Sequence, residues 1–173
     1  MKFGDIYNLP YDPGSGKARL DAIVAALPDV PSEVAAQFLA DHGRNPDFQA
    51  QYAALELAGI SWKKTRFPAS ELITASMYAK FERWFGTVSG RLSAFPEKGW
   101  RSIDSRTAVV EQWERNHTWA LAPVFLAGEL VGRPSRLHLA EGHTRLGTLA
   151  GAVNAGLISL ESSHEVWLGT GKP

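Results

Sequence analysis

A short segment, Glu141 to Arg145, concentrates side chains whose types and spacing suit chemistry on a phosphate. The sequence EGHTR offers a carboxylate, an imidazole, a hydroxyl and a guanidinium around one glycine. A guanidinium has a planar fork of donors that matches phosphate oxygens, so Arg145 is the first candidate phosphate ligand. A phosphate would repel Glu141, which therefore needs another role. That role is either a general base or a ligand for a metal ion that bridges to the phosphate.

The residues around this segment predict a strand, a tight turn and a helix. Leu137 and Leu139 alternate with other residues as in a half-buried strand. Apolar residues then recur at helical spacing from Leu146 to Val153, and Gly156 follows where a helix C-cap is expected. The start of such a helix attracts anions, and a glycine in the turn lets the backbone come close to a ligand.

We therefore predict a phosphate or nucleotide site at Gly142, Thr144 and Arg145. Glu141 and His143 are the candidate catalytic residues, and Glu141 is also the candidate metal ligand. His143 and Thr144 would add hydrogen bonds to the phosphate. The alternative is a strand-to-helix turn whose polar residues face solvent and bind nothing, because short motifs match often by chance.

The same residues carry a resemblance to a known family. LHLAEGHTRLGTLAGAVNAGL, followed by HEVWLG, resembles the ParB/sulfiredoxin-like superfamily. In that family a strand leads into a (D/E/A)-G-x-x-R turn and a helix, and members include nucleotide-binding partition proteins, sulfiredoxins and free-serine kinases. Glu141, Gly142, His143 and Arg145 match the turn, and Thr144 stands where the kinase-type turn has a second histidine. The resemblance covers about residues 60–169 and implies phosphate binding, with a nucleotide and Mg²⁺ as cofactors.

Two departures limit what the resemblance implies. The chain has no cysteine, which excludes the redox chemistry of a sulfiredoxin. We also expect no DNA-binding helices after the motif, because only a strand follows it, whereas partition proteins have such helices there. The resemblance therefore implies phosphate binding at the turn without fixing the reaction.

Composition predicts a soluble protein without a strong electrostatic bias. The 173 residues are 45% apolar, with 18 Lys and Arg against 18 Asp and Glu, so no broad positive field favours nucleic acid. The absence of cysteine suits the cytoplasm, and the first residues lack the apolar run of a signal peptide. We expect a cytoplasmic protein that does not insert into membranes. A cluster of Lys63, Lys64 and Arg66, with Trp62 and Phe67 interleaved, keeps a nucleic-acid surface as a minor alternative.

The expected fold class is α/β (α+β), with a small mixed sheet and an N-terminal helical cap. The cap is assigned to residues 1–58 and the core to residues 59–173, together forming one compact unit. The strand from Ile60 to Phe67 is expected at an edge of the sheet because of its lysines. The strand that ends at Glu141 is expected at the centre. The other predicted elements are helices over 20–27, 31–42, 45–59, 68–85 and 105–119, a strand over 122–126, a last strand over 164–168, and a lid-like loop over 86–102.

The link between the second and third helices supplies secondary candidates. Asp41, His42 and Arg44 fall within five consecutive polar or small residues. The simpler interpretation is a capped corner between helices, because each residue type is normal there. The alternative is a second half of the site that faces the Glu141 turn. His117 is a further candidate near a helix end, where a cap or dipole partner is more usual.

Three function classes follow from these residues. The first is an enzyme that binds a nucleotide or phosphorylated small molecule and carries out phosphoryl transfer or hydrolysis. The second is a non-catalytic module whose affinity for a partner responds to nucleotide. The third is a nucleic-acid-binding protein or nuclease, which the neutral charge disfavours. Magnesium would be held mainly by substrate phosphates and water, because no cluster of Asp and Glu stands in the sequence.

Overall fold

A four-stranded mixed sheet joins distant parts of the chain in a computed structural model that describes residues 1–172. Its strands are β1 (Ile60–Pro68), β2 (Val124–Ala127), β3 (Leu137–Glu141) and β4 (Ser163–Gly171). Their order is β1-β4-β2-β3, with β2 antiparallel to β3 and parallel to β4. The predicted α/β class with a small mixed sheet is therefore confirmed. Pro173, which ends the predicted core, lies outside the described residues.

The two edge strands correct one prediction and confirm another. β1 lies at an edge, as its lysines indicated. β3 lies at the other edge, so the expectation that Glu141 ends a central strand is wrong. The reason is the position of β4, which was expected to close the sheet. β4 pairs with β2 on the side away from β3, and this places β4 and β2 in the interior.

The described chain divides into two compact units. Unit 1 comprises Met1–Lys63, Val124–Glu141 and the chain from Trp167, and unit 2 comprises Lys64–Pro123 and Gly142–Val166. The division expected between residues 58 and 59 stays a prediction. Each unit is described by itself below.

Unit 1 contains the predicted helical region. Its α-helices are α1 (Leu20–Ala26), α2 (Ser32–Val34), which continues as a π-helical segment (Ala35–Ala40), and α3 (Pro46–Tyr52). The start of α3 follows the predicted chemistry, because the Asn45 side chain accepts a hydrogen bond of 2.9 Å from the Asp47 N–H and Pro46 occupies the first turn. The helices bury a cluster of aromatic rings with centroids 5.1–6.3 Å apart, formed by Phe3, Phe38, Phe48 and Tyr52.

A buried hydrogen bond connects this aromatic cluster to β3. The Tyr52 hydroxyl lies 2.8 Å from Nε2 of His138, and both residues are buried. Burial, followed by the negative charge of Glu141, raises the pKa of Tyr52, so its hydroxyl stays protonated beside the ring nitrogen. The sequence gives His138 little functional weight, and the structure places it in the core, fully buried.

Replacement of Tyr52 by phenylalanine is expected to lower the free energy of unfolding by about 1–3 kcal/mol. The change keeps the ring but deprives a buried imidazole nitrogen of its partner. Urea denaturation measures the loss. Tyr7→Phe is the matched control, because Tyr7 is 52% exposed, and it should change stability by less than about 0.5 kcal/mol. Equal stabilities of the two variants would contradict a stabilising hydrogen bond between Tyr52 and His138.

Unit 2 holds five α-helices: α4 (Ala69–Leu72), α5 (Ala79–Gly90), α6 (Phe95–Lys98), α7 (Thr107–Asn116) and α8 (His143–Asn154). The longest, α5 and α8, have 12 residues each. Over residues 1–172, no helix has both the length and the apolar character needed to cross a membrane.

Two predictions for unit 2 are wrong. The single helix expected over residues 68–85 is interrupted, since α4 ends at Leu72 and α5 begins only at Ala79. Just after α4, the Thr74 hydroxyl donates to the carbonyls of Ser70 and Glu71, a local bond that competes with helix formation. The lid-like loop expected over residues 86–102 is helical almost throughout. Its glycines lie within or beside helices, where helix contacts outweigh their poor intrinsic propensity.

Helices α5 and α8 pack closely because α8 carries glycine at two positions of the contact. A Cβ added to Gly151 would lie 2.4 Å from the Ser89 carbonyl oxygen, and one added to Gly147 would lie 3.0 Å from Cβ of Val88. The two backbones therefore approach to a distance that side chains would prevent. This contact holds the middle turns of α8 against α5 within unit 2.

Candidate functional site

The predicted turn has the expected form, but its glycine has a different physical reason. Gly142 adopts φ 108° and its carbonyl accepts the first helical hydrogen bond of α8 from Leu146 at 2.9 Å. A Cβ at this position would lie 2.4 Å from Cβ of Pro123. Backbone conformation and packing against Pro123 thus require the glycine. The close approach of a ligand at Gly142, which the sequence predicts, stays a prediction.

Thr144 and Arg145 lie in the first turn of α8, where the sequence placed them. The Arg145 guanidinium donates from Nη1 to the Leu121 carbonyl at 2.8 Å, which fixes its direction. The Thr144 hydroxyl oxygen accepts a hydrogen bond of 3.2 Å from the indole of Trp84, a side chain that is 45% exposed. Both predicted phosphate-binding side chains are therefore held in place by defined contacts.

His143 occupies a different environment from its two neighbours. Its side chain is buried, and its ring centroid lies 4.3 Å from that of Phe81. This placement packs the imidazole inside unit 2. The catalytic role assigned to His143 stays a prediction.

A cleft of about 400 Å³ in unit 2 is lined by Thr144 and Arg145. Its volume falls in the range of about 300–1,000 Å³ that small-molecule sites occupy. The rest of its lining comes from α8, from α7 and from the segments before and after α7: Ile103, Asp104, Arg106, Ala108, Val109, Gln112, Trp113, Trp119, Ala120, Leu121 and Thr148.

The cleft carries a small excess of positive charge. Arg106 binds Asp104 with both ends of its guanidinium, at 3.0 Å from Nε to Oδ1 and 2.6 Å from Nη2 to Oδ2. These hydrogen bonds hold the pKa of Asp104 at about 2, so the carboxylate is ionised at neutral pH. With Arg145 as the second cation, the charged side chains of the lining sum to one positive charge, which favours an anionic ligand.

Sequence reasoning missed the side of the cleft formed by α7. Asp104, Arg106 and Gln112 belong to no motif, and each is an ordinary residue near or within a helix. Trp113 and Trp119 were a weak signal, because two tryptophans beside one helix end suggest a large apolar surface nearby. No local pattern connects any of these residues with α8.

In unit 1, the structure brings one secondary candidate to Glu141. The Nε2 atom of His42 lies 3.2 Å from Oε2 of Glu141. The His42 ring stacks on Phe48 with centroids 4.0 Å apart and planes within 5°. This contact makes the polar link face the Glu141 turn, as the alternative interpretation expects, and the role of His42 in a site stays a prediction.

The other secondary candidates have structural partners elsewhere. Asp41 pairs with Lys17 at 2.9 Å. The Arg44 guanidinium lies over the rings of Tyr7 and Tyr11, 4.4 and 4.0 Å from their centroids, and it also donates to the Tyr7 carbonyl. These contacts are typical of a folded surface. Neither residue joins the His42–Glu141 pair through the contacts described here.

His117 and the basic cluster also have defined places. His117 ends α7 in the left-handed conformation, with φ 52°, and stacks on Trp100 at 5.8 Å, as expected for a helix-end residue. Lys64 lies 3.7 Å from Glu165, and Arg66 donates to the Ser163 hydroxyl at 3.2 Å. Within unit 2 the Glu165 carboxylate offsets the charge of Lys64, whereas the acceptor of Arg66 is a neutral hydroxyl.

The predicted magnesium site lacks the ligands that this ion prefers. No group of three or more His, Asp or Glu side chains within residues 1–172 is arranged to hold a metal ion. The carboxylate of Glu141 faces an imidazole, whereas Mg²⁺ selects a shell of oxygen ligands. The residues therefore do not fit a magnesium ion held by the protein alone. Magnesium that arrives with a nucleotide stays a prediction.

Another buried histidine, in unit 2, lies beside the cleft lining. His164 is buried, with Nε2 2.8 Å from the Ser162 hydroxyl and Nδ1 3.0 Å from the Thr118 hydroxyl. Ser162 donates its own proton to the Ser159 carbonyl at 2.6 Å. Burial, with a smaller effect of Arg66, lowers the pKa of His164 to about 4. The folded protein therefore keeps this imidazole neutral.

Stability is expected to fall as the pH drops from 6.5 to about 4. Above pH 6.5 His164 is neutral in both the folded and the unfolded chain. Between pH 6.5 and about 4 it is protonated in the unfolded chain and remains neutral in the folded chain. The difference between the pKa of His164 in the unfolded chain and in the folded chain corresponds to a loss of at most about 3 kcal/mol in the free energy of unfolding. Urea denaturation across this pH range measures it. His164→Gln should flatten the dependence of the free energy of unfolding on pH in this range. An unchanged pH dependence would contradict the lowered pKa of His164.

The described chain is an α/β protein whose unit 2 has a cleft lined by Arg106 and Arg145. Comparisons of the chain with protein-family models, curated proteins and solved structures found no match. The resemblance to the ParB/sulfiredoxin-like superfamily therefore depends on the EGHTR turn and the helix that follows it, and it stays a prediction.

Proposed function

We propose that this protein binds a nucleotide or a phosphorylated small molecule, with the phosphate at the start of α8. The observation that carries the proposal is the cleft of about 400 Å³. Thr144 and Arg145, the two side chains that the sequence predicts as phosphate ligands, both line it. The N–H groups of the first turn of a helix have no acceptor within that helix, and the helix dipole favours an anion there. Arg106 adds a second cation to the same cleft.

Each part of the site has a separate role in this proposal. The guanidinium of Arg145 binds phosphate oxygens, and its hydrogen bond to the Leu121 carbonyl orients it before the ligand arrives. The Thr144 hydroxyl donates a further hydrogen bond to the phosphate. The apolar part of the cleft accommodates the rest of the ligand.

A thermal-shift screen of the purified protein tests the proposal. It compares nucleoside mono-, di- and triphosphates and inorganic phosphate, each with and without Mg²⁺. A ligand that binds only the folded state adds about 2.7 kcal/mol of stability at a hundredfold excess over its Kd, and the melting temperature rises accordingly. The corresponding nucleosides without phosphate are the controls and should give smaller shifts. If no phosphate compound raises the melting temperature, the proposal is wrong.

Phosphoryl transfer or hydrolysis is a second candidate function, and the contact between His42 and Glu141 favours it. A carboxylate with an imidazole 3.2 Å away is equipped to accept a proton as a general base. In an enzyme, Glu141→Gln should keep ligand affinity and lower turnover by about 10²–10⁴-fold. A wild-type protein that binds its ligand and never turns it over is instead a non-catalytic module. Turnover that survives Glu141→Gln unchanged would exclude the role of general base.

A further inference from the structure

The polar side chains of the cleft that lie away from its arginines are engaged within unit 2. Gln112 donates from Nε2 to the Thr118 carbonyl at 3.2 Å, and its Oε1 accepts from Asn116 at 3.1 Å. The Thr148 hydroxyl donates to the Thr144 carbonyl at 2.9 Å. Each of these groups thus already has a partner within the protein, which reduces its capacity to hydrogen-bond to the edge of a ligand ring.

The aromatic and aliphatic lining adds surface without hydrogen-bonding capacity. Trp113 and Trp119 are buried, with their ring centroids 6.2 Å apart, and the indole N–H of Trp119 donates to the Glu165 carbonyl at 2.7 Å. Val109 lines the cleft from α7, and Leu121, which is 42% exposed, lines it after α7. Val109 and Leu121 present C–H groups to a ligand, and the two buried tryptophans lie behind this apolar surface.

The charged side chains of the lining define what the cleft recognises. They are Asp104, Arg106 and Arg145, and their sum is one positive charge. In the cleft, the side chains that would bind an anionic group are therefore different from the side chains that would contact an apolar group. A ligand that matches both has one compact anionic group attached to an apolar body.

We infer that the ligand is a phosphate monoester whose body is an apolar ring, and that the cleft reads the ring by shape without hydrogen bonds to its edge. This inference rests on the proposed function, since it takes the phosphate to lie at Arg145. The ring contributes affinity through buried apolar area, which any flat ring of suitable size supplies. For nucleotides, the consequence is weak discrimination between bases, because discrimination of hydroxyl and amino groups requires polar partners in the site.

Binding of a graded series of phosphates, measured by calorimetry on the full chain, tests the inference. The series is inorganic phosphate, phenyl phosphate, 1-naphthyl phosphate and the four ribonucleoside monophosphates. We expect 1-naphthyl phosphate to bind at least about tenfold more tightly than inorganic phosphate, and the four nucleotides to agree within about fivefold. A preference above tenfold for one base, or equal binding of naphthyl phosphate and inorganic phosphate, overturns the inference. No binding by any member of the series overturns the proposed function itself.

A variant that fills the cleft separates the ring site from the phosphate site. Val109→Phe places a larger side chain in the lining, whereas Glu114→Phe places the same ring on an exposed part of α7 away from the cleft. We expect Val109→Phe to weaken naphthyl phosphate at least about tenfold and to leave inorganic phosphate unchanged. Glu114→Phe should change neither.

A second variant covers the case in which Val109→Phe fails to fold. Ala108 is exposed and also lines the cleft, so Ala108→Phe should be tolerated by the fold and should weaken naphthyl phosphate in the same way. Thermal unfolding shows which variants are folded. Undiminished binding of naphthyl phosphate to the folded variants overturns the assignment of the ring to this cleft.

Discussion

Gly151→Ala is expected to destabilise the protein by about 3 kcal/mol, the upper end of the usual cost of overpacking. The added Cβ would lie 2.4 Å from the Ser89 carbonyl oxygen and about 3.1 Å from the Leu92 side chain. A backbone oxygen cannot move away without displacing α5 from α8. Alanine favours helix over glycine by about 1 kcal/mol, and this gain offsets only part of the clash. Urea denaturation measures the change.

Two other glycines in the same helix pair serve as matched controls. Gly147→Ala brings Cβ to 3.0 Å from Cβ of Val88 and to 3.1 Å from the Phe85 carbonyl oxygen. A shift of a few tenths of an ångström relieves both contacts, so the loss should be clearly smaller. Gly86 lies on the exposed side of α5, with no other atom within 4 Å of its Cβ position, and Gly86→Ala should stabilise the protein by about 0.5–1 kcal/mol. If Gly151→Ala behaved like Gly86→Ala, the close approach of α5 and α8 would be wrong.

Arg145→Ala is expected to weaken binding of the ligand found in the screen by about 10–100-fold. Hydrogen bonds from a charged donor contribute about 1.5–3 kcal/mol, and this change removes both the charge and the fork that meets the phosphate. Isothermal titration calorimetry gives the ratio of dissociation constants. Loss of the bond to the Leu121 carbonyl should cost about 1 kcal/mol of stability, so binding is measured well below the melting temperature.

Two arginine variants make this test specific. Arg145→Lys keeps the charge and loses the planar fork, so its affinity should fall between those of the wild type and the alanine variant. Arg115 lies on α7 outside the cleft, 3.1 Å from Glu111, and Arg115→Ala should leave binding unchanged. Equal affinity of the wild type and Arg145→Ala would show that the phosphate does not lie at the start of α8.

The elements that the sequence predicts well are those set by neighbouring residues. Asn45 and Pro46 specify the start of α3 through a side-chain cap and a fixed φ. The end of α8 follows from Gly156, which adopts φ 72° just after the helix. The hairpin of β2 and β3 is equally local. In each case the interactions that decide the structure lie within a few residues.

The elements that the sequence predicts poorly depend on distant contacts. The position of β3 at an edge of the sheet was missed because β4, more than 20 residues later, pairs with β2. The helical content of residues 86–102 was missed because glycine and proline suggested a loop, although the packing of α5 against α8 overrides that preference.

The candidate site divides in the same way. The α8 side of the cleft, with Thr144 and Arg145, belongs to one local motif and was identified. The α7 side was not identified, because Asp104 and Arg106 become relevant only once α7 lies beside α8. The contact of His42 with Glu141 was considered as an alternative, but no sequence pattern could favour it over the ordinary helix corner.

The interior position of β4 has a consequence for how the chain is made. β4 is the last strand along the chain, yet it lies between β1 and β2. While a ribosome is still making residues before Ser163, β1 and β2 have no strand between them, and their open edges can pair with other chains. The sheet can be completed only after β4 emerges, which makes its insertion a late and non-local event. Nascent chains stalled before residue 163 should therefore depend on chaperones far more than chains released after residue 171.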